Sequence, residues 1–495
     1  MHVHLVRAKS ARRINRFYPN LGIATIASVI RKNGHEVQIH DLSTKDYKKY
    51  IEDVRDTEPD LIGFTSIIDD FSDVLSVIKM CKEASPYTKI VVGGPHVSLL
   101  KEEAFELAGD IDFVVYGEGE NAIIKVMNEL KCDLHGKGNA DSKDKHVISL
   151  SGNDYDLDSS PFPSWDIYDL SGFFPLLPLE TSRGCPYSCR YCAEGTIYGK
   201  RVRKKSIIRV VDEIKQNIEE HGIRFFRFSD STFNFSKSRF IELCRAFIAN
   251  KLNIKWGSYA RFETIDADSI KLAKDAGCES LYFGIESGDS DILKMVRISR
   301  ASRDHMQRIQ QAANSVDLHT HCNFIIGLPD ETEKTLDTTL ELVGQLRPNS
   351  TFLSTFFVVP LTDIHLHAER YGVEFTRKGW VKGLHESFKK PDSSYFRHRT
   401  MTQDDMKAHY HRLRAEIEKM DGIYWNLKDY PLLTWLSVGG TKKGLEMIWK
   451  NPEIYLNGNE LRHFETFKEK ERYSDNTENE QSMKDVITAL ARKFR

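Results

Sequence analysis

The sequence predicts an α/β protein that contains two separate sets of parallel strands. Residues 1–130 and the part of the chain from Pro178 onward both alternate short apolar runs with amphipathic stretches, a pattern typical of strand–helix–strand units. A length of 495 residues is enough for two to four domains with ample hydrophobic cores. We therefore expect an N-terminal doubly wound sheet, a partial (β/α)6 barrel and a mainly helical C-terminal segment.

Composition excludes several classes of protein. The formal net charge of −2 argues against a broad nucleic-acid-binding face. We expect no transmembrane segment, because no run of about 18 apolar residues occurs. The first residues, Met1-His-Val-His-Leu-Val-Arg7, contain no apolar stretch of the kind that secretory signals carry, so we expect a cytoplasmic protein.

Residues 1–135 are expected to form the first domain. Its predicted strands are His2–Val6, Glu36–Ile39, Leu61–Thr65, Ile90–Val92 and Asp112–Tyr116. Helical patterns separate these strands at Leu21–Lys32, Asp46–Arg55, Asp73–Ala84 and Glu102–Leu107. Ligands of such sheets bind at the carboxyl ends of the strands, where this chain places Ser66 and the pair Gly93-Gly94. A glycine pair lets another molecule approach the backbone closely, although a tight turn explains the pair equally well.

Residues 136–177 are expected to link this domain to the next. The stretch from Leu130 to His146 is polar and has no periodicity, which indicates a surface loop. It is followed by Leu157-Asp-Ser-Ser-Pro-Phe-Pro-Ser-Trp-Asp166, in which the prolines favour a defined path over a flexible tether.

Residues 178–395 are expected to form the barrel. Its predicted strands are Leu179–Ser182, Arg224–Phe228, Lys255–Tyr259, Ser280–Phe283, His319–Ile326 and Thr351–Val358. Barrels place their chemistry at the carboxyl ends of the strands. Residues 396–495 form the C-terminal segment, with a helix predicted at Asp404–Met420, an aromatic stretch at Tyr424–Trp435 and a short terminal helix at Gln481–Arg495.

Three cysteines, Cys185, Cys189 and Cys192, lie on the loop after the first barrel strand. Three thiolates at this spacing can hold three irons of a [4Fe–4S] cluster, whose usual full set is four cysteines, so one iron stays open to a small molecule. A zinc site, a disulfide pair and buried structural cysteines are the alternatives. Zinc requires a fourth ligand, and the next histidine, His221, lies beyond a predicted helix. Eight cysteines in the chain, five of them scattered, do not form a secreted disulfide framework.

The cysteine spacing, with Tyr191 just before the last cysteine, resembles the radical S-adenosylmethionine (SAM) superfamily. There the open iron chelates the amino and carboxylate groups of SAM. Ser66-Ile-Ile68, Gly93-Gly94 and Tyr116-Gly-Glu-Gly-Glu120 resemble the cobalamin (B12)-binding domains that are fused to radical SAM domains. Residues 1–390 thus resemble the family of radical SAM enzymes with a cobalamin-binding domain.

The resemblance implies cobalamin contacts in the first domain. The nucleotide tail of cobalamin is expected beside Ser66, Gly93 and Gly94. The loop after the first strand lacks the family motif that supplies a histidine to cobalt, and His96 is expected to pack, so no protein histidine is expected below the cobalt. A flavodoxin-like module without cobalamin is the alternative for this domain.

The resemblance also implies SAM contacts at the barrel. Asp230 is expected to bind the methionine amino group, Glu286 a ribose hydroxyl and Arg297 the carboxylate. Tyr191 and the segment around Ile326, which matches the adenine-side segment, complete the set. Each charged residue has an alternative: Asp230 as the N-cap of a helix, Glu286 as a solvated loop carboxylate and Arg297 as a surface cation.

The function implied by the resemblance is that of a cobalamin-dependent methyltransferase acting on an unactivated carbon, or on phosphorus, of a small molecule. It would use two SAM molecules, one as methyl donor and one as radical source, and a reducing partner such as flavodoxin or ferredoxin. Two alternatives remain: an enzyme with the same cofactors that forms rings or rearranges carbon skeletons, and a non-enzymatic cobalamin or redox sensor. No catalytic residue and no substrate can be assigned from the sequence.

Overall fold

A computed structural model describes residues 1–9, 18–43, 47–68, 70–107, 109–134, 146–149, 155–171, 173, 176–297, 301–376, 395–420 and 423–425. Within these ranges the strands form two large parallel sheets and two small antiparallel ribbons. The predicted α/β class, with a doubly wound sheet and a barrel, is confirmed.

The N-terminal sheet has the strand order β2-β1-β3-β4-β5-β6. Its strands are β1 (His2–Arg7), β2 (Glu36–Asp41), β3 (Leu61–Thr65), β4 (Lys89–Gly93), β5 (Phe113–Tyr116) and β6 (His146–Ser149). Its helices are α1 (Leu21–Lys32), α2 (Tyr47–Thr57), α3 (Phe71–Ala84), α4 (Pro95–Leu100), α5 (Ala104–Leu107) and α6 (Gly119–Leu134). The order reverses between β1 and β3, which opens a ligand-binding crevice at their carboxyl ends.

Helices cover both faces of this sheet, because side chains alternate along each strand. Val3 and Leu5 of β1 pack in the apolar cluster that contains residues of α1 and α6. Val6 packs in the opposite cluster, with residues of α2 and α3. His4 therefore shares its face with Val6 and is fully buried under α2.

The sixth strand lies inside the linker that the sequence predicts. Helix α6 continues to Leu134, and β6 pairs in parallel with β5, so the polar region is shorter than its composition indicates. The four residues of β6 are too few for their own periodicity to reveal a strand; pairing with β5 and burial of Ile148 define it.

The connector packs against α1. Ser164 N donates to the carbonyl of Ala24 at 3.0 Å, and Arg31 pairs with Asp166 at 2.7 Å. The hydroxyl of Tyr168 accepts from Asn20 N at 2.9 Å and donates to Asp41. These contacts give residues 155–171 a defined path along the first domain.

The second large sheet has the order β17-β14-β13-β12-β11-β10-β7, with all its pairings parallel. Its strands are β7 (Leu176–Leu179), β10 (Phe225–Phe228), β11 (Lys255–Ala260), β12 (Cys278–Glu286), β13 (His319–Ile326), β14 (Ser350–Thr355) and β17 (Tyr424–Trp425). The antiparallel ribbons are β8 (Ser182–Arg183) with β9 (Arg203–Lys204), and β15 (Val373–Phe375) with β16 (Phe396–His398). Six strands, β7 and β10 to β14, thus form the predicted partial barrel, and the two-residue β17 extends its far edge.

The barrel helices are α7 (Glu194–Ile197), α8 (Ile207–His221), α9 (Lys237–Ala249), α10 (Ala267–Asp275), α11 (Ser290–Val296), α12 (Arg303–Ser315), α13 (Glu333–Leu346), α14 (Asp363–Leu366) and α15 (Gln403–Glu418). Helix α8 begins at the N-cap Ser206, whose side chain accepts from Arg209 N, and ends at Gly222 in the left-handed conformation.

The C-terminal segment is described only in part. Helix α15 agrees with the predicted helix at Asp404–Met420 and buries Met406, Leu413 and Ile417. The rest of the predicted mainly helical segment, including the terminal helix and most of the aromatic stretch, lies outside the described residues. In the part of the chain that the structure describes, no helix is long and apolar enough to cross a membrane.

Candidate active site

The three-cysteine loop follows β7 and is fixed by its backbone. Gly184 has φ +100°, and a Cβ there would lie 2.6 Å from the carbonyl oxygen of Arg201, so only glycine fits before the first cysteine. Cys185 N donates to the carbonyl of Gly199, and Cys192 N to that of Cys189, both at 3.1 Å. The sequence therefore holds three thiols on one ordered loop.

The thiols suit a cluster better than the alternatives. All three are free and partly exposed, so they form no disulfide. In the described part of the chain their sulfur atoms do not all lie within 4.8 Å of one another, whereas a single zinc ion with Zn–S bonds of about 2.3 Å holds its sulfurs closer together. Burial raises the pKa of Cys192 to about 12 and also raises that of Cys185, so iron binding must release protons from these thiols.

A series of side chains linked by hydrogen bonds and ion pairs lies beside the cysteine loop. Arg261 stacks on Tyr187, with 3.7 Å between the guanidinium and the ring centroid, and donates to the sulfur of Cys189 at 3.8 Å. It also donates to Glu263 at 2.7 Å. Arg261 and Glu263 were not predicted from the sequence, although their position just after β11 is the usual place for functional residues of a barrel.

Glu263 links this series of side chains to three residues that are predicted to contact SAM. It accepts from Arg297 at 3.2 Å, and Arg297 lies 3.9 Å from Glu286. Tyr191 donates to the same oxygen of Glu286 at 2.7 Å. Tyr191, Glu286 and Arg297 thus meet beside the cysteine loop.

Burial decides the alternatives for two of these residues. Glu286 is 8% exposed and Arg297 7% exposed, so they are neither a solvated carboxylate nor a surface cation. Burial raises the pKa of the Glu286 carboxyl, and Arg297 beside it opposes the shift. Glu286 also has φ +73°, an uncommon conformation for a residue other than glycine, which indicates that its surroundings fix its position.

Asp230 follows β10 and is buried. Its carboxylate accepts from Thr181 N at 3.0 Å, from the Thr181 hydroxyl at 2.7 Å and from the Ser182 hydroxyl at 2.5 Å. Burial raises its pKa, and these hydrogen bonds oppose the shift. The N-cap of the next helix is Ser236, so the alternative role of Asp230 as a helix cap is wrong. Asp230 instead joins the end of β10 to the segment that leads into the cysteine loop.

Glu194, two residues after Cys192, contacts Ser231, the residue that follows Asp230. It accepts from the hydroxyl of Ser231, and burial raises its pKa. This carboxylate was not predicted from the sequence, because a single glutamate after the motif carries no signal of its own.

Ile326 ends β13 and is 1% exposed. Its carbonyl accepts from Phe356 N at 2.7 Å, which fixes the backbone of the predicted adenine-side segment. The next turn is held by Glu331, which is fully buried and accepts from Gly327 N at 2.6 Å.

The predicted cobalamin contacts lie together at the carboxyl edge of β3 and β4. Ser66 is fully buried, and its hydroxyl lies 3.1 Å from a carboxylate oxygen of Asp70. Gly94 has φ +98°, and a Cβ there would lie 2.7 Å from the carbonyl oxygen of Ser66. A Cβ at Gly93 would come no closer than 3.5 Å to the protein, so Gly93 keeps the edge open to another molecule.

A cavity of about 700 Å³ joins the two halves of the site, a volume within the range of small-molecule and cofactor sites. Gly93 and Gly94 line one side, and Glu194, Asp230 and Tyr259 line the other. None of the described residues that line it is a histidine. His96 packs edge-on against Phe71 instead, with 4.9 Å between ring centroids.

Ion pairs cross from the first domain to the cysteine loop. Arg183 lies 2.9 Å from Glu120, 3.4 Å from Glu118 and 3.0 Å from Glu180. Arg203 also pairs with Glu118. The Gly-Glu-Gly-Glu segment of the first domain therefore forms ion pairs with Arg183 of the barrel, two residues before Cys185.

Both halves of the chain match known families. Residues 11–126 match the B12 binding domain, and residues 179–343 match the radical SAM superfamily. The chain is 31% identical over 345 residues to an uncharacterized methyltransferase of Pyrococcus horikoshii, a match that covers 66% of this chain and 73% of that protein. It is 26% identical over 372 residues to the anaerobic magnesium-protoporphyrin IX monomethyl ester cyclase of Cereibacter sphaeroides, covering 70% of this chain and 60% of the cyclase.

The fold also matches a solved structure. The radical SAM methyltransferase TsrM from Kitasatospora setae, solved with cobalamin and a [4Fe–4S] cluster bound, superposes with a TM-score of 0.70 at 17% identity, over 91% of this chain and 99% of that chain. With both domains matched in the same order along the chain and a methyltransferase relative above 30% identity, the chain belongs to the cobalamin-dependent radical SAM methyltransferase family, enzymes whose cofactors are a [4Fe–4S] cluster, SAM and cobalamin.

Proposed function

We propose that this enzyme transfers a methyl group from SAM to an unactivated carbon, or to phosphorus, of a small molecule. The observation that carries the proposal is the cavity that extends from the edge of the first sheet to the mouth of the barrel. One chamber that reaches both Gly93 and Asp230 allows a methyl carrier and a radical source to act on the same substrate.

The cofactors supply the radical and methyl-transfer chemistry when bound, and the chain binds, orients and shields them. Cys185, Cys189 and Cys192 hold the cluster in this proposal. Asp230, Glu286, Arg297, Tyr191 and the backbone near Ile326 hold SAM, and the edge at Ser66, Gly93 and Gly94 accommodates the cobalamin tail. A flavodoxin or ferredoxin of a reducing cytoplasm supplies the electron.

The substrate side of the chamber is formed by Tyr259. Its ring is 48% exposed, the cavity reaches it, and the guanidinium of Arg227 lies 4.6 Å from its centroid. Arg227 lies 4.3 Å from the centroid of Tyr282 on the neighbouring strand, so the cation is held between two rings. An exposed aromatic face at the cavity suits an apolar or aromatic substrate.

The test uses reduced holoenzyme and SAM with a trideuterated methyl group, incubated with extracts that contain candidate substrates. We expect 5′-deoxyadenosine, S-adenosylhomocysteine and a product heavier by a trideuterated methyl group, observed by mass spectrometry. The triple variant Cys185→Ala, Cys189→Ala, Cys192→Ala is the control and should yield no 5′-deoxyadenosine.

The set of products distinguishes methyl transfer from the alternative reaction, ring formation or rearrangement. Formation of 5′-deoxyadenosine and a new product without S-adenosylhomocysteine or label would support ring formation or rearrangement, as in the cyclase relative, and would overturn methyl transfer. Wild-type protein that releases no 5′-deoxyadenosine with any extract would contradict both.

A further inference from the structure

A second cluster of possible metal ligands lies in the first domain, away from the cavity. His4 of β1, His40 of β2 and Asp53 of α2 each offer one ligand atom, and these atoms all lie within 4.8 Å of one another. Asp53 Oδ2 is 4.0 Å from His4 Nδ1 and 3.6 Å from His40 Nε2. None of the three lines the cavity of the candidate active site.

The cluster carries buried polar atoms that the protein leaves unsatisfied. His4 is 0% exposed, and within the described ranges neither of its ring nitrogens has a hydrogen-bond partner. Asp53 Oδ2 is also buried without a hydrogen bond, although the rest of that side chain reaches solvent. Buried polar atoms are normally paired, so each such exception needs an explanation.

The position of His4 in the strand makes the arrangement more specific. His4 shares its sheet face with Val6, whose neighbours are the apolar residues of α2 and α3. An aliphatic residue would fit that setting without cost. A histidine with both nitrogens unsatisfied there points to a ligand that it binds.

We propose that His4, His40 and Asp53 bind one zinc ion, with water as the fourth ligand. Two imidazole nitrogens and one carboxylate oxygen form a donor set that suits Zn²⁺, whereas Mg²⁺ and Ca²⁺ prefer oxygen ligands only. Tetrahedral ligands at about 2.0–2.2 Å from zinc lie roughly 3.3 Å apart. The pairs at 3.6 and 4.0 Å reach that separation with shifts of less than about 1 Å.

Access and protonation are compatible with this ion. The ligand atoms are buried, but the side chains of Asp53 and His40 are 37% and 19% exposed, so a small movement of these two side chains would admit zinc and a water ligand. A histidine ring is mostly neutral above its ordinary pKa of about 6.5, and a neutral ring is what a metal ligand requires. The bound ion would fasten α2 to the edge strand β2 and to β1.

The experiment uses holoenzyme loaded with the cluster and cobalamin, so that the thiols of the cysteine loop are already occupied by iron. The protein is treated briefly with EDTA, checked for retention of iron and cobalamin, and titrated with Zn²⁺ against a chromophoric chelator. Zinc per chain is measured by plasma mass spectrometry, and the melting temperature is measured with and without zinc. The variants are Asp53→Asn and His40→Gln, with Asp56→Asn, an exposed residue of the same helix, as the matched control.

We expect one zinc per chain in the wild type and in Asp56→Asn, with a rise in melting temperature on adding zinc. Asp53→Asn and His40→Gln should weaken zinc binding at least tenfold and lose that rise, while they retain iron and cobalamin. Wild-type holoenzyme that binds no zinc, or Asp53→Asn with wild-type affinity, would overturn the site, because any ion would then be held elsewhere. These outcomes do not depend on methyl transfer.

Discussion

A carboxylate with three internal hydrogen bonds is difficult to replace, and Asp230 is such a residue. Asp230→Ala would leave two donors of Thr181 and the hydroxyl of Ser182 without an acceptor. We expect it to lower the free energy of unfolding by at least about 1–3 kcal/mol. Asp230→Asn keeps the shape and removes the charge, so it is the better probe of SAM binding.

If Asp230 also binds the ammonium of SAM, Asp230→Asn should weaken SAM affinity by about tenfold or more, because hydrogen bonds to charged groups contribute about 1.5–3 kcal/mol. Equilibrium dialysis with labelled SAM measures this, and urea unfolding controls for stability. Unchanged SAM affinity in Asp230→Asn would limit Asp230 to positioning the cysteine loop.

Gly93 and Gly94, at the carboxyl edge of β3 and β4 where cobalamin is proposed to bind, should respond differently to substitution. Gly93→Leu should prevent cobalamin from binding while cluster assembly is normal, because Gly93 lines the cavity and a Cβ there comes no closer than 3.5 Å to Val115, so the larger side chain is accommodated at the expense of cavity space. Gly94→Ala should disturb the turn itself, because its Cβ would collide with Ser66. Cobalamin content after reconstitution distinguishes them, with Gly109→Leu, at an open position away from the cavity, as control. Normal cobalamin content in Gly93→Leu would show that the tail passes elsewhere.

Asp230, Glu286 and Arg297 are proposed as SAM contacts through the family resemblance, and those roles remain predictions. Arg297 follows helix α11 (Ser290–Val296), whereas Asp230 and Glu286 lie at the ends of barrel strands, where barrels place their chemistry. Arg261 and Glu263 have the same placement, but their importance depends on contacts with Cys189 and Arg297, which lie far away in the chain. Sequence spacing does not show which distant residues meet.

At the scale of elements, the cysteine loop and the strand end at Arg261 act together. The guanidinium donates to the sulfur of Cys189, and a nearby positive charge stabilises the reduced, more negative cluster. Arg261→Gln should therefore lower the reduction potential, by about 60 mV if about 1.4 kcal/mol of stabilisation is lost. Redox titration followed by electron paramagnetic resonance measures the shift, and Arg261→Lys, which keeps the charge, should recover part of it. Equal potentials in Arg261→Gln and wild type would exclude this coupling.

The turn after β13 should make stability depend on pH. Burial raises the pKa of Glu331 from 4.5 to about 8, although Gly327 N and Leu328 N donate to it. Between these values the folded state binds more protons than the unfolded state, so stability from this group is fully present at low pH and is lost as pH rises toward 8. Relative to Glu331→Gln, the wild type should lose up to about 1.4 kcal/mol per pH unit over this range. Urea unfolding at several pH values tests this, and parallel profiles for the two proteins would contradict it.

The predicted bounds of helices and strands agree with the structure where one face of the element is apolar. They differ where pairing with a neighbouring element sets the bounds. Helix α1 and strands β3 and β13 have the predicted bounds. Strand β7 lies three residues earlier than predicted, because its register is set by pairing with β10. Residues 180 and 181, predicted as strand, instead belong to the turn held by Asp230.

At the scale of the whole molecule, the two domains are joined by a buried group of charges. Glu120 is 3% exposed and pairs with Arg183 across the domain interface. Removing one partner of a buried pair typically costs about 3–5 kcal/mol. Because Arg183 retains Glu118 and Glu180, we expect Glu120→Gln to lower the free energy of unfolding by about 3 kcal/mol, the low end of that range.

An exposed pair between the connector and α1 provides the contrast. Arg31 and Asp166 are 44% and 49% exposed, so Asp166→Asn should cost less than about 1 kcal/mol and its effect should disappear in high salt. Urea unfolding at low and high salt compares the two variants. If Glu120→Gln and Asp166→Asn lowered the free energy of unfolding equally, the interface charges would be effectively solvated.

The order of the two domains and their fold classes could be read from alternating patterns, but their docking could not. The Gly-Glu-Gly-Glu segment at the start of α6 and the arginine two residues before Cys185 are each ordinary in sequence. Only the folded chain brings Glu118 and Glu120 to Arg183. The domain boundaries at residues 135, 177 and 395 remain predictions.

The placement of Arg183 has a consequence for how the enzyme matures. Only one residue, Gly184, separates the interface cation from Cys185, the first of the three cysteines proposed to hold the cluster, so we expect the contact between the domains to depend on whether iron is bound. Loading of the two metallocofactors should then be sequential, with iron inserted first and cobalamin retained afterwards. By the same path, we expect oxygen damage to the cluster to weaken the retention of cobalamin by otherwise intact protein.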